Sequence, residues 1–457
     1  MTAARRTFLK TAAAGAAVGA AAGPVTAALA RDHHEEGGKA GEKKQPVIGC
    51  IGTGSRWNAV GMQAAQFGRV KTVCDADARR MDKAAKMIAE AHGYEPAKNK
   101  NYRAIIEDPE VDVVVIATTD HWHAKPLIEA VRAGKDAYCE KPLTLTIAEG
   151  RAVCDAVKET GRVVQVGTQQ RTEMGRKFLT ALALVREGRL GDVEKITCGI
   201  NRAPTSPGIP VVGVPDGLDW DLWLGPAPEA EFRRDGKFTN GHYEFRWWYE
   251  YSGGKMTDWG AHHVDIAQWV LDRNGPGQGP TRIVPDMDAV MHPAYMDEDG
   301  MPVKKDRYNV AHSFRVSAFF DGGAEIVIDS EGRNGLLIEG TDGRIFVSRG
   351  DLTGAPVEDL TNNPLPADAI KKVYKNQDIP DGPAHMRNFF DAREGKGEVI
   401  SDVFSHHRAL TTCHLANIAI RLGRELTWDP KAEQIVGDEQ AQAMTGRPYR
   451  EGYEIVG

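Results

Sequence analysis

Asp258 and His262 stand four residues apart in Gly253-Gly254-Lys255-Met256-Thr257-Asp258-Trp259-Gly260-Ala261-His262-His263-Val264-Asp265, a glycine turn running into a helical pattern. At that spacing two side chains share one helix face. A histidine titrating near neutrality takes a hydroxyl proton, and a neighbouring carboxylate fixes its tautomer and steadies the charged ring. The same residues also suit an ordinary helix start, with Thr257 or Asp258 as the cap. A second chemical group is Lys141, which follows the apolar run Asp136-Ala137-Tyr138-Cys139 and precedes Pro142. An ammonium at the end of a strand stabilises a developing alkoxide when a hydride leaves the same carbon.

The elements that must carry Lys141 alternate between strand and helix. Pro46 to Ile51 is a short apolar run ending at Gly52-Thr53-Gly54-Ser55-Arg56-Trp57, after which Ala59 to Phe67 has helical spacing. A glycine turn between a strand and a helix lets a pyrophosphate approach the helix N-terminus. Trp57 replaces the third glycine of the usual fingerprint and prevents the helix from packing as closely there. The strand Val70 to Asp75 ends in an acid at the distance expected for a carboxylate on an adenosine ribose. Asp75 favours NAD by charge, Arg79 and Arg80 admit NADP, and one of Asp75 and Asp77 is expected to cap the helix Ala78 to His92.

Val111 to Ala117 reads as a strand buried on both faces and opens into Thr118-Thr119-Asp120-His121-Trp122-His123. Helices over Ala124 to Ala133 and Ile147 to Thr160, and a strand over Val163 to Val166, complete a Rossmann domain over residues 46–166. Beyond residue 167 the pattern changes to strands over Val193 to Ile200, His312 to Phe320, Ala324 to Ser330, Leu336 to Gly340 and Arg344 to Ser348. Turn signals such as Asp321-Gly322-Gly323 separate them, which suits a large, mostly antiparallel sheet with helices on one side. The expected class is therefore α/β, a doubly wound parallel sheet followed by an α+β substrate domain over 167–430. Helices between Pro383 and Gly423 are expected to pack back on the first domain, with 431–457 as a tail.

Tryptophans and tyrosines crowd residues 220–259, and most are expected to be structural. Arg171, Tyr243, Arg246, Trp248 and His263 are the candidates to line a substrate pocket. Neighbouring histidines on a helix point about 100° apart and no third ligand has useful spacing, so no metal site is expected. The six cysteines form no CxxC pair and read as small core residues. A net charge of −7 argues electrostatically against nucleic acid and anionic membrane surfaces as partners.

Residues 1–30 carry Arg5-Arg6-Thr7-Phe8-Leu9-Lys10, a weakly hydrophobic alanine and glycine run, and Ala28-Leu29-Ala30. This resembles a twin-arginine export signal and not a membrane anchor. A solvated linker over 31–45 follows, and the export machinery is an expected partner. Cargo of that pathway is typically exported folded, so the resemblance implies a periplasmic or other extracytoplasmic protein with a tightly held cofactor.

The ordered pieces Ile51-Gly52-Thr53-Gly54, Ala117 to His123, Cys139-Glu140-Lys141-Pro142-Leu143, Val166-Gly167-Thr168-Gln169-Gln170-Arg171 and Leu218 to Pro226, with the 253–265 stretch, resemble the Gfo/Idh/MocA oxidoreductase family. The resemblance spans most of the chain after the export signal. It places Lys141, Asp258 and His262 on the family's catalytic positions, and Gly52, Gly54, Asp75, Thr118, His123 and Glu140 on cofactor contacts. Thr53, Ser55, Arg56, His121, Lys141 and Gln169 are grouped with those contacts. It implies NAD or NADP, a sugar or polyol substrate and a homo-oligomer, dimeric or tetrameric. Three readings stay open: net hydride transfer, glycoside hydrolysis or elimination through transient oxidation, and sugar binding without catalysis.

Overall fold

The computed structural model describes residues 45–455, so the expected export signal lies outside the described residues. Strands β1 (Val47–Ile51), β2 (Arg69–Cys74), β3 (Ala97–Lys98), β4 (Val113–Ile116), β5 (Asp136–Cys139) and β6 (Val164–Val166) form one sheet in the order β3-β2-β1-β4-β5-β6. Every pairing in it is parallel. The four side chains of β4 are fully buried, as a central strand covered by helices on both faces requires. Strand order reverses between β1 and β4, which brings the glycine loop after one beside the Thr118 loop after the other. Ligands of doubly wound sheets bind at that reversal.

Local signals set the helix ends. Asp77 caps Ala78–His92 by accepting from the Arg79 amide at 3.0 Å, and Gly93 ends the helix in the left-handed conformation at φ 76°. Thr146 caps Ile147–Thr160 through the Glu149 amide, and the Glu149 carboxylate reaches back to the Leu145 amide at 2.8 Å.

The second sheet contains β7 (Val193–Gly199), β10 (Pro280–Pro285), β11 (Arg315–Phe320), β12 (Glu325–Asp329), β13 (Gly335–Gly340), β14 (Gly343–Val347), β15 (Leu352–Thr353), β16 (Leu426–Asp429) and β17 (Gln434–Ile435). A separate two-stranded ribbon is made of β8 (Arg234–Asp235) and β9 (Phe238–Thr239). The large sheet runs β15-β14-β13-β7-β12-β11-β10-β16-β17 and is antiparallel except where β7 meets β12. Strands β10, β16 and β17 have no counterpart in the sequence reading. Two of them contain prolines or lie next to a proline, which masks their period.

Helix Val403–Leu422 is buried along most of its length because it touches helix Gly260–Leu271, strand β10 and the Rossmann helix Ile147–Thr160. Helix Ala384–Arg393 inserts Met386, Phe389 and Phe390 among Ile48, Val113 and Tyr138 of the first sheet. Residues 431–455 do more than trail away. They add β17, and Arg447 pairs with buried Glu149 at 2.7 Å while Lys125 donates to the Glu454 carbonyl at 2.8 Å. Side chains from both sheets share one core, and this holds the loop after β5 at a set distance from the start of helix Gly260–Leu271. Among the described residues no helix is long and apolar enough to cross a membrane.

Candidate active site

Gly52 opens the loop after β1 at φ 81°, and its amide donates to the Cys74 carbonyl at 2.8 Å. A Cβ there would stand 2.6 Å from the Thr118 amide nitrogen, so glycine is what lets the two loops touch. Trp57 is entirely buried, and its indole lies where a Cβ on Gly61 would be. The glycine missing at position 57 is thus offset one turn later, and the helix start keeps its place beside the loop.

The Asp75 carboxylate accepts from the Thr53 amide at 2.7 Å, the Thr53 hydroxyl at 3.2 Å and the Asp77 amide at 2.9 Å. Burial raises its pKa, against which these amide bonds and the Arg80 charge act. Arg79 is committed to Asp77 at 2.7 Å, whereas Arg80 lines the adjoining groove. That groove is bounded by Gly52, Gly54, Ser55 and Arg56 on one side, Thr118 and Thr119 on another, and Tyr243 and Arg246 across from them. The buried Thr118 hydroxyl oxygen has no hydrogen-bond partner among the described residues and lies at this wall. Two bare glycines, a carboxylate at the end of β2, cations and an unpaired hydroxyl suit a dinucleotide.

Several expected cofactor contacts support the groove from behind. His123 sets its Nδ1 2.6 Å from the Pro142 carbonyl and its Nε2 3.3 Å from the Thr118 carbonyl, joining two groove loops. Gln169 donates to the Tyr138 hydroxyl at 2.7 Å and to Glu140 at 2.9 Å. Glu140 also accepts from Arg56 at 2.9 Å, and a Cβ on Gly167 would stand 2.6 Å from its carboxylate. His121, expected among the cofactor contacts, lies apart from this wall. Its ring is buried against Trp223 and Tyr251, with Nε2 3.1 Å from the Trp223 carbonyl, and it does not reach the groove.

Next to the groove, Lys141 Nζ lies 2.6 Å from Asp258 Oδ1 and donates to the Asp258 carbonyl at 2.8 Å. Arg246, whose side chain also lines the groove, comes within 3.6 Å of the same carboxylate oxygen. Burial pushes the Asp258 carboxyl up, but Lys141, Arg246 and Lys255 outweigh it and bring it down to about 2. The helix breaks at Trp259 into Lys255–Asp258 and Gly260–Leu271, and His262 lies in the second piece's first turn. His262 is 5% exposed, and its Nδ1 has no hydrogen-bond partner among the described residues. Burial, then Lys141 and Arg349, hold its pKa well below the ordinary histidine value. Asp258, expected to orient this ring or share its proton, is engaged by Lys141 and Arg246, and no hydrogen bond joins it to the ring among the described residues.

Three expected substrate contacts point elsewhere. Arg171 is fully buried and forms a two-pronged ion pair with Asp265, both contacts at 2.7 Å. His263 is wholly buried between Gln170 and Asn334, each 3.3 Å from a ring nitrogen. Trp248 is buried and donates to the Thr239 carbonyl at 3.1 Å. Only Tyr243 and Arg246 of the five border the groove. Arg171→Met would leave Asp265 charged in the core and is expected to cost about 3–5 kcal/mol of stability. Urea unfolding would show it, and a loss under 1 kcal/mol would contradict this account.

Lys255 and Arg349 were not singled out from the sequence and belong to the site. Arg349 sits 4.6 Å from the Trp259 ring and donates to Gln170 at 3.1 Å, arriving from the loop after β14. No spacing signal marks it, since it is remote in sequence from every other member.

Residues 44–168 match the profile of the Gfo/Idh/MocA oxidoreductase family's NAD-binding Rossmann fold, and residues 206–455 match that family's C-terminal alpha/beta domain. The chain belongs to the Gfo/Idh/MocA family. Its Rossmann domain is accordingly an NAD-binding one. Among curated members, a glycosyl hydrolase family 109 protein of Shewanella baltica is 31% identical over 208 residues, 41% of this chain and 44% of that protein. An alpha-N-acetylgalactosaminidase of Shewanella oneidensis is 29% identical over 152 residues, 32% of this chain and 33% of that one. The chain thus matches less than half the length of these relatives. In fold, it is similar to levoglucosan dehydrogenase solved with NADH and L-sorbose, at TM-score 0.58 and 20% identity, covering 84% of this chain and 99% of that one. The WlbA dehydrogenase of Bordetella pertussis, solved with NADH and UDP-GlcNAcA, gives 0.55 and 16%, with 84% and 99% covered.

Proposed function

We propose that this family member oxidises a secondary alcohol of a sugar or polyol, and that Lys141, Asp258 and His262 do the work. The observation that carries the reading is the direct Lys141–Asp258 contact beside the NAD groove, with a neutral His262 one turn on. Bound NAD would supply the hydride acceptor, held by the Gly52–Arg56 loop, Asp75 and Thr118. The Lys141 ammonium, fixed by Asp258, stabilises charge on the substrate oxygen. His262 is uncharged and accepts the hydroxyl proton as the C–H bond breaks. Tyr243 and Arg246 border the groove, and Arg246 links it to Asp258.

A second reading is hydrolysis of a glycoside through transient oxidation, with the cofactor ending as it began. It is supported by the curated relatives named as glycosyl hydrolase family 109 proteins. It also agrees with the proposed export signal, because a cofactor carried out with the folded protein must be regenerated in place. One experiment addresses both. Mass spectrometry of small molecules released on denaturation should find NAD, and aryl glycosides should then be supplied to the native protein. Free aglycone without accumulating NADH supports hydrolysis, and NADH in step with sugar consumed supports net oxidation. Neither product across a broad sugar panel would overturn the proposal.

A further inference from the structure

The His262 ring is not held by a hydrogen bond at Nδ1, which has no partner among the described residues, and Asp258 is engaged by Lys141 and Arg246. What meets the ring is Trp259, edge to face at 65° with centroids 6.1 Å apart, a separation at which aromatic pairs attract. The Trp259 carbonyl also accepts from the His262 amide at 3.0 Å and the His263 amide at 2.9 Å, so the first turn moves with it. Trp259 is itself fastened by a remote segment. The Arg349 guanidinium lies 4.6 Å from the indole centroid, within the range of a cation on an aromatic face. Arg349 stands in a turn closed on itself, where the Ser348 amide donates to the Asp351 carbonyl at 2.8 Å and the Asp351 amide to the Ser348 hydroxyl at 2.9 Å.

The same arginine reaches the helix a second way. Its Nε donates to Gln170 Oε1 at 3.1 Å, which leaves the Gln170 amide nitrogen to face His263 Nδ1 at 3.3 Å. That ring nitrogen is therefore an acceptor, the His263 proton sits on Nε2, and Nε2 donates to Asn334 Oδ1 at 3.3 Å. Arg349 thus grips the first turn at Trp259 and at His263, on either side of His262. We infer that Trp259 and Arg349 are positioning residues for His262: the guanidinium pins the indole, and the indole sets the imidazole, a task that a carboxylate performs where one reaches the ring. This rests on the sugar-oxidising reading and names what aims its base. A base whose nitrogen stays free of protein partners needs its direction fixed by packing, and a ring left to turn would spend less of its time in reach of the substrate hydroxyl.

The test uses the NAD-loaded protein at pH 7.5 with its histidines carrying ¹³C at Cε1, the His262 line being the one absent from His262→Gln. The face of an indole displaces the resonance of a ring packed on it. The His262 line should leave its wild-type position in Trp259→Leu and in Arg349→Met, and stay near it in Arg349→Lys, which keeps a cation for the indole. The lines of His385 and His414, remote from Trp259 in the fold, should not move, and matched thermal melting shows that the variants fold. In single turnovers with galactose, glucose and N-acetylgalactosamine, Trp259→Leu and Arg349→Met should each lower the rate about tenfold or more while KM changes by less than about twofold, the mark of a misplaced reacting group. NAD content should be unchanged, since neither residue borders the groove. A His262 line that stays in place in Arg349→Met, or wild-type rates in both variants, would overturn the inference and leave the sugar-oxidising reading standing. Undiminished turnover in His262→Ala would overturn that reading instead, and the resonance would still decide whether Arg349 sets the ring.

Discussion

His262→Ala should lower kcat by about 10²- to 10⁴-fold, the usual contribution of a positioned general base. The ring is 5% exposed, lies in the first turn of the helix that follows the Lys141–Asp258 contact, and has a nitrogen with no hydrogen-bond partner among the described residues to compete for a substrate proton. Its pKa lies well below the ordinary histidine value, through burial first and then through Lys141 and Arg349. The wild-type rate should therefore stay level as pH falls through 6.5 and drop only at lower pH. NAD content should be unchanged in the variant, since His262 is not among the groove residues. Single-turnover absorbance at 340 nm and its pH profile measure both expectations. A variant as fast as wild type would remove His262 from the chemistry.

Mild acid should unfold this protein. His121 and His414 are held at about 3, and His263 and His385 at about 4, in each case first by burial. These folded-state values lie below the ordinary 6.5, so the unfolded chain binds more protons once pH falls under 6.5. The stability these neutral rings allow is complete above that value and drains away as pH drops toward 4. At pH 5 each ring has cost roughly 2 kcal/mol, and the four together about 8 kcal/mol. Whole domains are stable by about 5–15 kcal/mol, so this term decides the outcome. Burial raises the carboxyls of Asp75 and Asp120, which act in the opposite direction, while Asp265, at about 2, adds its own loss only under pH 3.8.

Urea midpoints at pH 7.5, 6 and 5 on the NAD-loaded protein should fall steeply. His385→Gln should remove about a quarter of the fall. The His385 ring sits 2.8 Å from the Val166 carbonyl and 3.1 Å from the Thr172 hydroxyl, contacts an uncharged amide can partly replace. Midpoints that did not move between pH 7.5 and 5 would contradict the assignment.

Much of the first sheet is legible in local chemistry. Helix Ala78–His92 lies between a capping aspartate and a left-handed glycine, and Ile147–Thr160 between a threonine cap and Gly161, so both ends follow from neighbouring residues alone. The apolar run of β4 likewise declares a strand covered on both faces. Lys141, Asp258 and His262 are recognisable as reactive types at telling places, and the structure sets Lys141 against Asp258 with His262 one turn on. Residues 253–265 also contain Lys255 in plain view, but its place between the Trp247 and Trp259 rings cannot be seen there.

The partner of each charged side chain is what the sequence leaves undetermined. Arg171 has the chemistry of a substrate clamp, and only the fold delivers Asp265, 94 residues on, to neutralise it in the core. His262 and His263 must point apart on any helix, but only the fold shows that His263 is the one enclosed between Gln170 and Asn334. Arg349 joins the site from the loop after β14 without any motif. Residue type and spacing thus determined the alternating fold and the glycine loop, because these depend on neighbours within a few turns. Tertiary structure decided which charges are paired and which remain free to meet a substrate, because Coulomb interactions and burial act through space between segments far apart in the chain.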